Sequence, residues 1–156
     1  MERMQWQDVR HVLPAVKQPV FIYANGFDGD EEYDIYRPVR VQNPNGESWF
    51  IFTWNYDVAE HVKYWMPVPL TPLQARGVWH VVDKELPPPS YHSLADGIFS
   101  DTVWVYADGF EGSCSKGIYR GYCVTKKKQR PRFYHWMDND VLREVTHWMP
   151  IPAVPK

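Results

Sequence analysis

Two arginines, Arg37 and Arg120, interrupt runs that otherwise read as apolar strands. Strand alternation sets Arg37 on the same face as Ile35, Val39 and Val41, and Arg120 beside Ile118, Tyr122 and Val124. A guanidinium on an apolar face is costly unless something satisfies it. Three arrangements do so: an ion pair, for which Asp57 and Asp140 are the matching carboxylates; an anionic ligand group such as phosphate, gripped by the planar fork of donors; or a β-bulge that turns the side chain outward. Aromatic residues supply the complementary chemistry. Tyr23, Trp54, Trp104, Tyr106 and Trp136, with Phe21, Trp49 and Tyr134, form either a packed core or a surface on which a base or similar planar group stacks, at ~1–3 kcal/mol per base. The abundance of Trp and Tyr leans toward the half-exposed role, because both carry a polar handle that suits interfaces.

Other clusters carry less. Lys126, Lys127, Lys128, Arg130 and Arg132 are the one basic run, which reads as a solvated hairpin tip or a contact to phosphate or an acidic partner. Asp28, Asp30, Glu31, Glu32 and Asp34 superficially follow a calcium loop but lack its glycine and closing glutamate, so no metal site is expected. The six histidines include no His-x-x-x-His pair, and Cys114 and Cys123 fit no metal motif. The two cysteines read as free thiols or as a bridge across neighbouring strands. No Gly-x-Ser-x-Gly, phosphate-binding glycine loop or Cys–His motif occurs, so the chain reads as a non-enzyme without a cofactor. An enzymatic reading would have to rest on Asp57, Asp140 and the histidines.

The elements that must position these residues are strands. Fourteen prolines and nine glycines in 156 residues argue for short strands joined by turns rather than long helices. The net charge of −2 provides no broad field for nucleic acid or an acidic membrane. No apolar run is long enough to span a bilayer, and Met1 to Gln7 has no apolar leader, which points to the cytoplasm.

Shifted by 83 residues, the chain matches itself without a gap. Val20, Tyr23, Ala24, Gly26 and Phe27 meet Val103, Tyr106, Ala107, Gly109 and Phe110; Ile35, Tyr36 and Arg37 meet Ile118, Tyr119 and Arg120; Trp65, Met66 and Pro67 meet Trp148, Met149 and Pro150. About 18 of 51 positions in 19–69 and 102–152 are identical. Upstream, Trp6 to Pro14 corresponds more loosely to Trp79 to Pro87. The chain therefore reads as a tandem duplication, residues 1–72 and 73–156, with the join between Thr71 and Gly77 and a longer connection, 88–101, in the second copy.

The initial Trp, the Leu-Pro pairs and the closing Thr146-His147-Trp148-Met149-Pro150-Ile151-Pro152 resemble a small family of unknown function common in tailed phages and prophages of enteric bacteria. The first copy departs from the closing motif, with Lys63-Tyr64-Trp65-Met66-Pro67-Val68-Pro69. The resemblance implies a phage origin and a bacterial host cell, and brings no catalytic residues.

The expected fold is mainly β: two tandem antiparallel β-meander repeats packed about a pseudo-twofold axis, since either alone buries little surface. Strands are expected at Val20 to Ala24, Ile35 to Val41, Trp49 to Trp54 and Tyr64 to Met66, and again at Val103 to Ala107, Ile118 to Val124, Phe133 to Met137 and His147 to Met149. Turns are expected at Asn25-Gly26, Asp108-Gly109, Asn43 to Gly46 and Lys126 to Arg130, and a turn or one helical turn at Asp57 to Glu60 and Asp140 to Arg143. Function is expected to be ligand binding. Arg37 and Arg120 would hold the anion of a nucleotide-like molecule, and Tyr23, Tyr106, Trp54, Trp104 and Trp136 would form an aromatic pocket. In a phage setting, such nucleotide sequestration would remove a host defence signal. The alternative is an inhibitor or adaptor that engages a host protein through an exposed aromatic surface. No membrane and no broad nucleic-acid partner is expected, and an oligomer is open.

Overall fold

The computed structural model describes residues 4–15, 18–25, 33–36, 40–42, 49–51, 62–75, 78–93, 95–110, 116–136 and 139–156. Every pairing among them is antiparallel, and no helix occurs among the described residues. Two compact units result: Met1–Pro69 with Pro152–Lys156, and Leu70–Ile151.

In the first unit, β1 (Gln7–Asp8), β2 (Val20–Asn25), β3 (Tyr33–Tyr36) and β6 (Val62–Pro67) form one sheet in the order β1-β6-β2-β3. A separate ladder joins β4 (Arg40–Gln42) to β5 (Trp49–Ile51). Strand β2 is a run of β-branched and aromatic residues buried on both faces: Val20, Phe21, Ile22 and Ala24 are all 2% exposed or less.

The second unit begins with β7 (His80–Val81), followed by β8 (Pro89–Ser93), β9 (Gly97–Ser100), β10 (Val103–Ala107) and β11 (Gly109–Phe110). It continues through β12 (Gly117–Thr125), β13 (Arg132–His135), β14 (Val141–Arg143) and β15 (His147–Pro150). The main path is β11-β14-β13-β12-β10-β15-β7, and the β8–β9 hairpin joins β12 through β9. Val103, Val105, Ala107, Cys123, Phe133, Leu142 and Trp148 form the core on one face. Trp104, Ile118, Val124 and Met149 are buried on the other.

The two units share their registers. Ile22 faces Tyr36 and Trp65 in the first, and Val105 faces Tyr119 and Trp148 in the second. Gln7 faces Trp65, as His80 faces Trp148. The indole of Trp65 donates to the Val12 carbonyl at 2.8 Å, and that of Trp148 to the Glu85 carbonyl at 2.7 Å. The Val9 amide donates to Lys63 at 3.1 Å, and the Val82 amide to Thr146 at 3.0 Å. Within the first unit Trp6 Nε1 donates to the Pro152 carbonyl, and within the second Trp79 Nε1 donates to that of Leu70.

Three local expectations are corrected. Residues Val141–Arg143 are a strand rather than a turn or helical turn: Leu142 packs into the core opposite Phe133, and left-handed Asn139 and Glu144 (φ 60 and 51) supply the reversals on either side. The 88–101 connection is itself a hairpin, β8–β9, turning at Asp96 and left-handed Gly97 (φ 109). The sheets are not simple meanders, because the closing strand returns to lie beside the opening one, β6 against β2 and β15 against β10. Gly26, Asn43 to Gly46, Asp57 to Glu60, Cys114 and the acidic residues 28–32 lie outside the described residues. Cys123 is a buried free thiol.

Candidate functional site: an aromatic face

Alternation along β12 and β13 decides what the second unit shows on the face opposite its core. Tyr122 lies across from Tyr134, and Val124 across from both Arg132 and Phe99. Tyr91 lies across from Phe99, and Val141 across from Tyr134. One aromatic from each of four neighbouring strands therefore falls on one face. Ring centroids step 5.9 Å from Tyr91 to Phe99, 6.1 Å from Phe99 to Tyr122 and 5.6 Å from Tyr122 to Tyr134. Such cross-strand neighbours stabilise the sheet by ~0.2–1 kcal/mol per pair. Tyr91 is 63% exposed; Phe99, Tyr122 and Tyr134 are half-buried. The Tyr122 hydroxyl donates to Asn139 Oδ1 at 2.7 Å, and burial, followed by neighbouring Tyr134, raises its pKa.

Arg120 occupies the same face two residues from Tyr122. The β10–β12 ladder runs unshifted from Val103 opposite Gly121 to Ala107 opposite Gly117, so no bulge turns Arg120 outward. Its Nε donates to Thr102 Oγ1 at 3.1 Å, and its guanidinium carbon lies 4.3 Å from the centroid of the Trp136 ring. The Trp136 amide donates to the Arg120 carbonyl at 3.2 Å, which fixes the two residues together. Arg120 thus lies over an aromatic ring, a contact worth ~0.5–2 kcal/mol. On the far side of the tyrosine pair, Arg132 and the turn Lys126 to Arg130 are exposed.

The other residues singled out by sequence are dispersed. Trp104 lies across from Arg120 on this face but is fully buried, with no surface open to solvent. Tyr106 is half-buried, with Lys116 Nζ 5.5 Å from its ring centroid and the same ammonium 3.7 Å from Asp108. Tyr23 belongs to the first unit, tilted against Tyr64 at 6.2 Å. Arg37 and Trp54 lie outside the described residues. Tyr91 and Phe99 escaped sequence reasoning because they lie in the connection. The signal that marks their hairpin is Asp96-Gly97, the same kind of turn pair as Asn25-Gly26.

Of the described histidines, His147 lies across from Tyr106 on this side of the sheet, whereas His80 and His135 lie on the core side. His80 stacks on Trp148 at 4.3 Å with Nδ1 2.9 Å from Glu85 Oε2, and His135 stacks on Phe110 at 4.8 Å on the core side. Burial pushes the Cys123 thiol up to about 11. No group of three or more metal-ligating side chains occurs among the described residues. Clefts of about 260, 450 and 780 Å³ exist, but none is lined by Phe99, Tyr122, Tyr134 or Trp136.

Residues 95–156, which contain most of this face, match a family model described as a protein of unknown function, DUF551. No curated protein matches the chain, and no solved structure does.

Proposed function

We propose that the chain is a non-enzymatic, phage-type binding protein that takes a nucleotide-like planar anion on the aromatic face of the second unit, within a bacterial host cell. The carrying observation is Arg120 lying 4.3 Å above Trp136 beside the stacked Phe99, Tyr122 and Tyr134. Rings accept a planar group by stacking, and the guanidinium fork accepts its anion. Tandem duplication, with a pseudo-twofold relation between the copies, is part of the same reading. The duplication is supported by the gap-free sequence match and by the equivalent strand registers within each unit. Sequestration of a host defence nucleotide is the biological role that fits a binder with phage resemblance and no catalytic signature. One observation favours a second reading, an adaptor or inhibitor of a host protein: the rings lie on an open sheet face, with Tyr91 63% and Val141 43% exposed.

Thermal melting of the wild type and Arg120→Met, with and without nucleoside phosphates, separates the two. A nucleotide at a hundredfold excess over its dissociation constant raises wild-type stability by ~2.7 kcal/mol. Arg120→Met is expected to lose that rise and, without nucleotide, to melt below the wild type by about the ~0.5–2 kcal/mol of its contact with Trp136. A wild type that no nucleotide stabilises argues for the protein partner.

A further inference from the structure

Four rings on four neighbouring strands make a longer surface than a mononucleotide covers. We propose that the aromatic face binds a short single strand of nucleic acid, its bases on Tyr91, Phe99, Tyr122 and Tyr134 and its phosphates along Arg132 and the exposed cationic turn. This rests on the planar-anion reading above and extends it from one nucleotide to a strand.

Three observations converge. The centroid steps of 5.9, 6.1 and 5.6 Å are near-regular, as a repeating ligand requires. A second cationic group lies beyond the rings from Arg120: Arg132 lies across from Val124, one alternation step from Tyr134 on the same face, and Lys126, Lys127, Lys128 and Arg130 continue around the exposed turn. That placement suits a strand whose bases point onto the sheet while its backbone runs beside it. The surface is also reachable from solvent at its rim, where Tyr91 is 63% and Val141 43% exposed. A duplex keeps its bases stacked on each other and has none to offer. The chain's net charge of −2 does not oppose this, because the cationic run is local and a short site needs only local neutralisation of phosphate. The expected binding is weak, tolerant of sequence and sensitive to salt.

The test is fluorescence anisotropy on the full chain with labelled oligothymidylate and oligouridylate, competed by mononucleotides and by polyglutamate. Short oligomers are expected to bind at least tenfold more tightly than mononucleotides, with affinity falling as salt rises. Tyr91→Ala, at an exposed position, is expected to weaken binding about five- to hundredfold, the loss of one stacked base. Lys127→Glu is expected to weaken it at low salt and to matter less at high salt. Neither variant touches the core, and circular dichroism checks that both fold. Oligomers that bind no tighter than mononucleotides overturn the strand proposal and leave the planar-anion reading standing. Polyglutamate that competes fully while Tyr91→Ala binds normally overturns it in favour of an acidic protein partner. Failure of both oligomers and mononucleotides to bind removes both readings.

Discussion

Trp148 shows how much one residue carries. It is 3% exposed, stacks on His80, and spends its indole N–H on the Glu85 carbonyl. Trp148→Ala is expected to cost ~3–5 kcal/mol, read as a shift of the urea midpoint, with stacking and hydrogen bond lost together. Cys123 gives a pH signature. Its thiol, pushed from 9.0 to about 11 by burial, stays protonated in the folded chain where the unfolded thiol ionises. Below pH 9 both states hold the proton and this thiol adds no pH dependence. Between pH 9 and 11 the unfolded state alone releases it, so stability falls as pH rises. Tyr122, also raised, adds a fall of the same sign above pH 10. Cys123→Ala is expected to flatten the first part of that slope in urea melts from pH 8 to 11. Much at this scale was legible in sequence: alternation put Arg120 among apolar neighbours, and the ladder puts it there. Trp136 as the plane beneath its guanidinium was not legible, because that contact depends on how β12 pairs with β13.

Elements were legible where the apolar period was strong and hidden where it was weak. Val103–Ala107 announces itself by four β-forming residues in a row, Val103 to Tyr106, and both its faces are buried. Strand β8 does not, because Pro89, Ser90, Tyr91 and His92 are all exposed and no core demands alternation. Strand β14 is three residues between two left-handed positions, which in sequence reads as a turn. The return of the closing strand to the opening one is a long-range pairing that local pattern does not encode. One glycine fixes the sheet beneath the aromatic face. A Cβ at Gly121 would meet the Tyr134 carbonyl oxygen and Leu142 Cδ1, each at 2.7 Å, and the carbonyl belongs to the ladder itself. Gly121→Ala is expected to cost ~1–3 kcal/mol by overpacking. Gly117→Ala, whose nearest neighbour is a Tyr119 ring atom at 4.0 Å, is expected to be near neutral, so equal urea midpoints for the two variants would contradict this account.

At the scale of the whole molecule, the two units have similar strand order over their described residues. Under the duplication reading, the second has added the β8–β9 hairpin and with it Tyr91 and Phe99, and has placed Lys126 to Arg130 where the first has the Asn43 to Gly46 segment. The second unit also holds most of the DUF551 match. The central claim is that this face accepts a planar anion, and the most direct measurement is an NMR titration of the full chain with nucleoside phosphates. The Trp136 indole, the rings of Phe99, Tyr122 and Tyr134, and the Arg120 Nε–H should shift together and saturate with one dissociation constant. Saturating nucleotide that leaves those five signals in place, or that moves a different set, would contradict it.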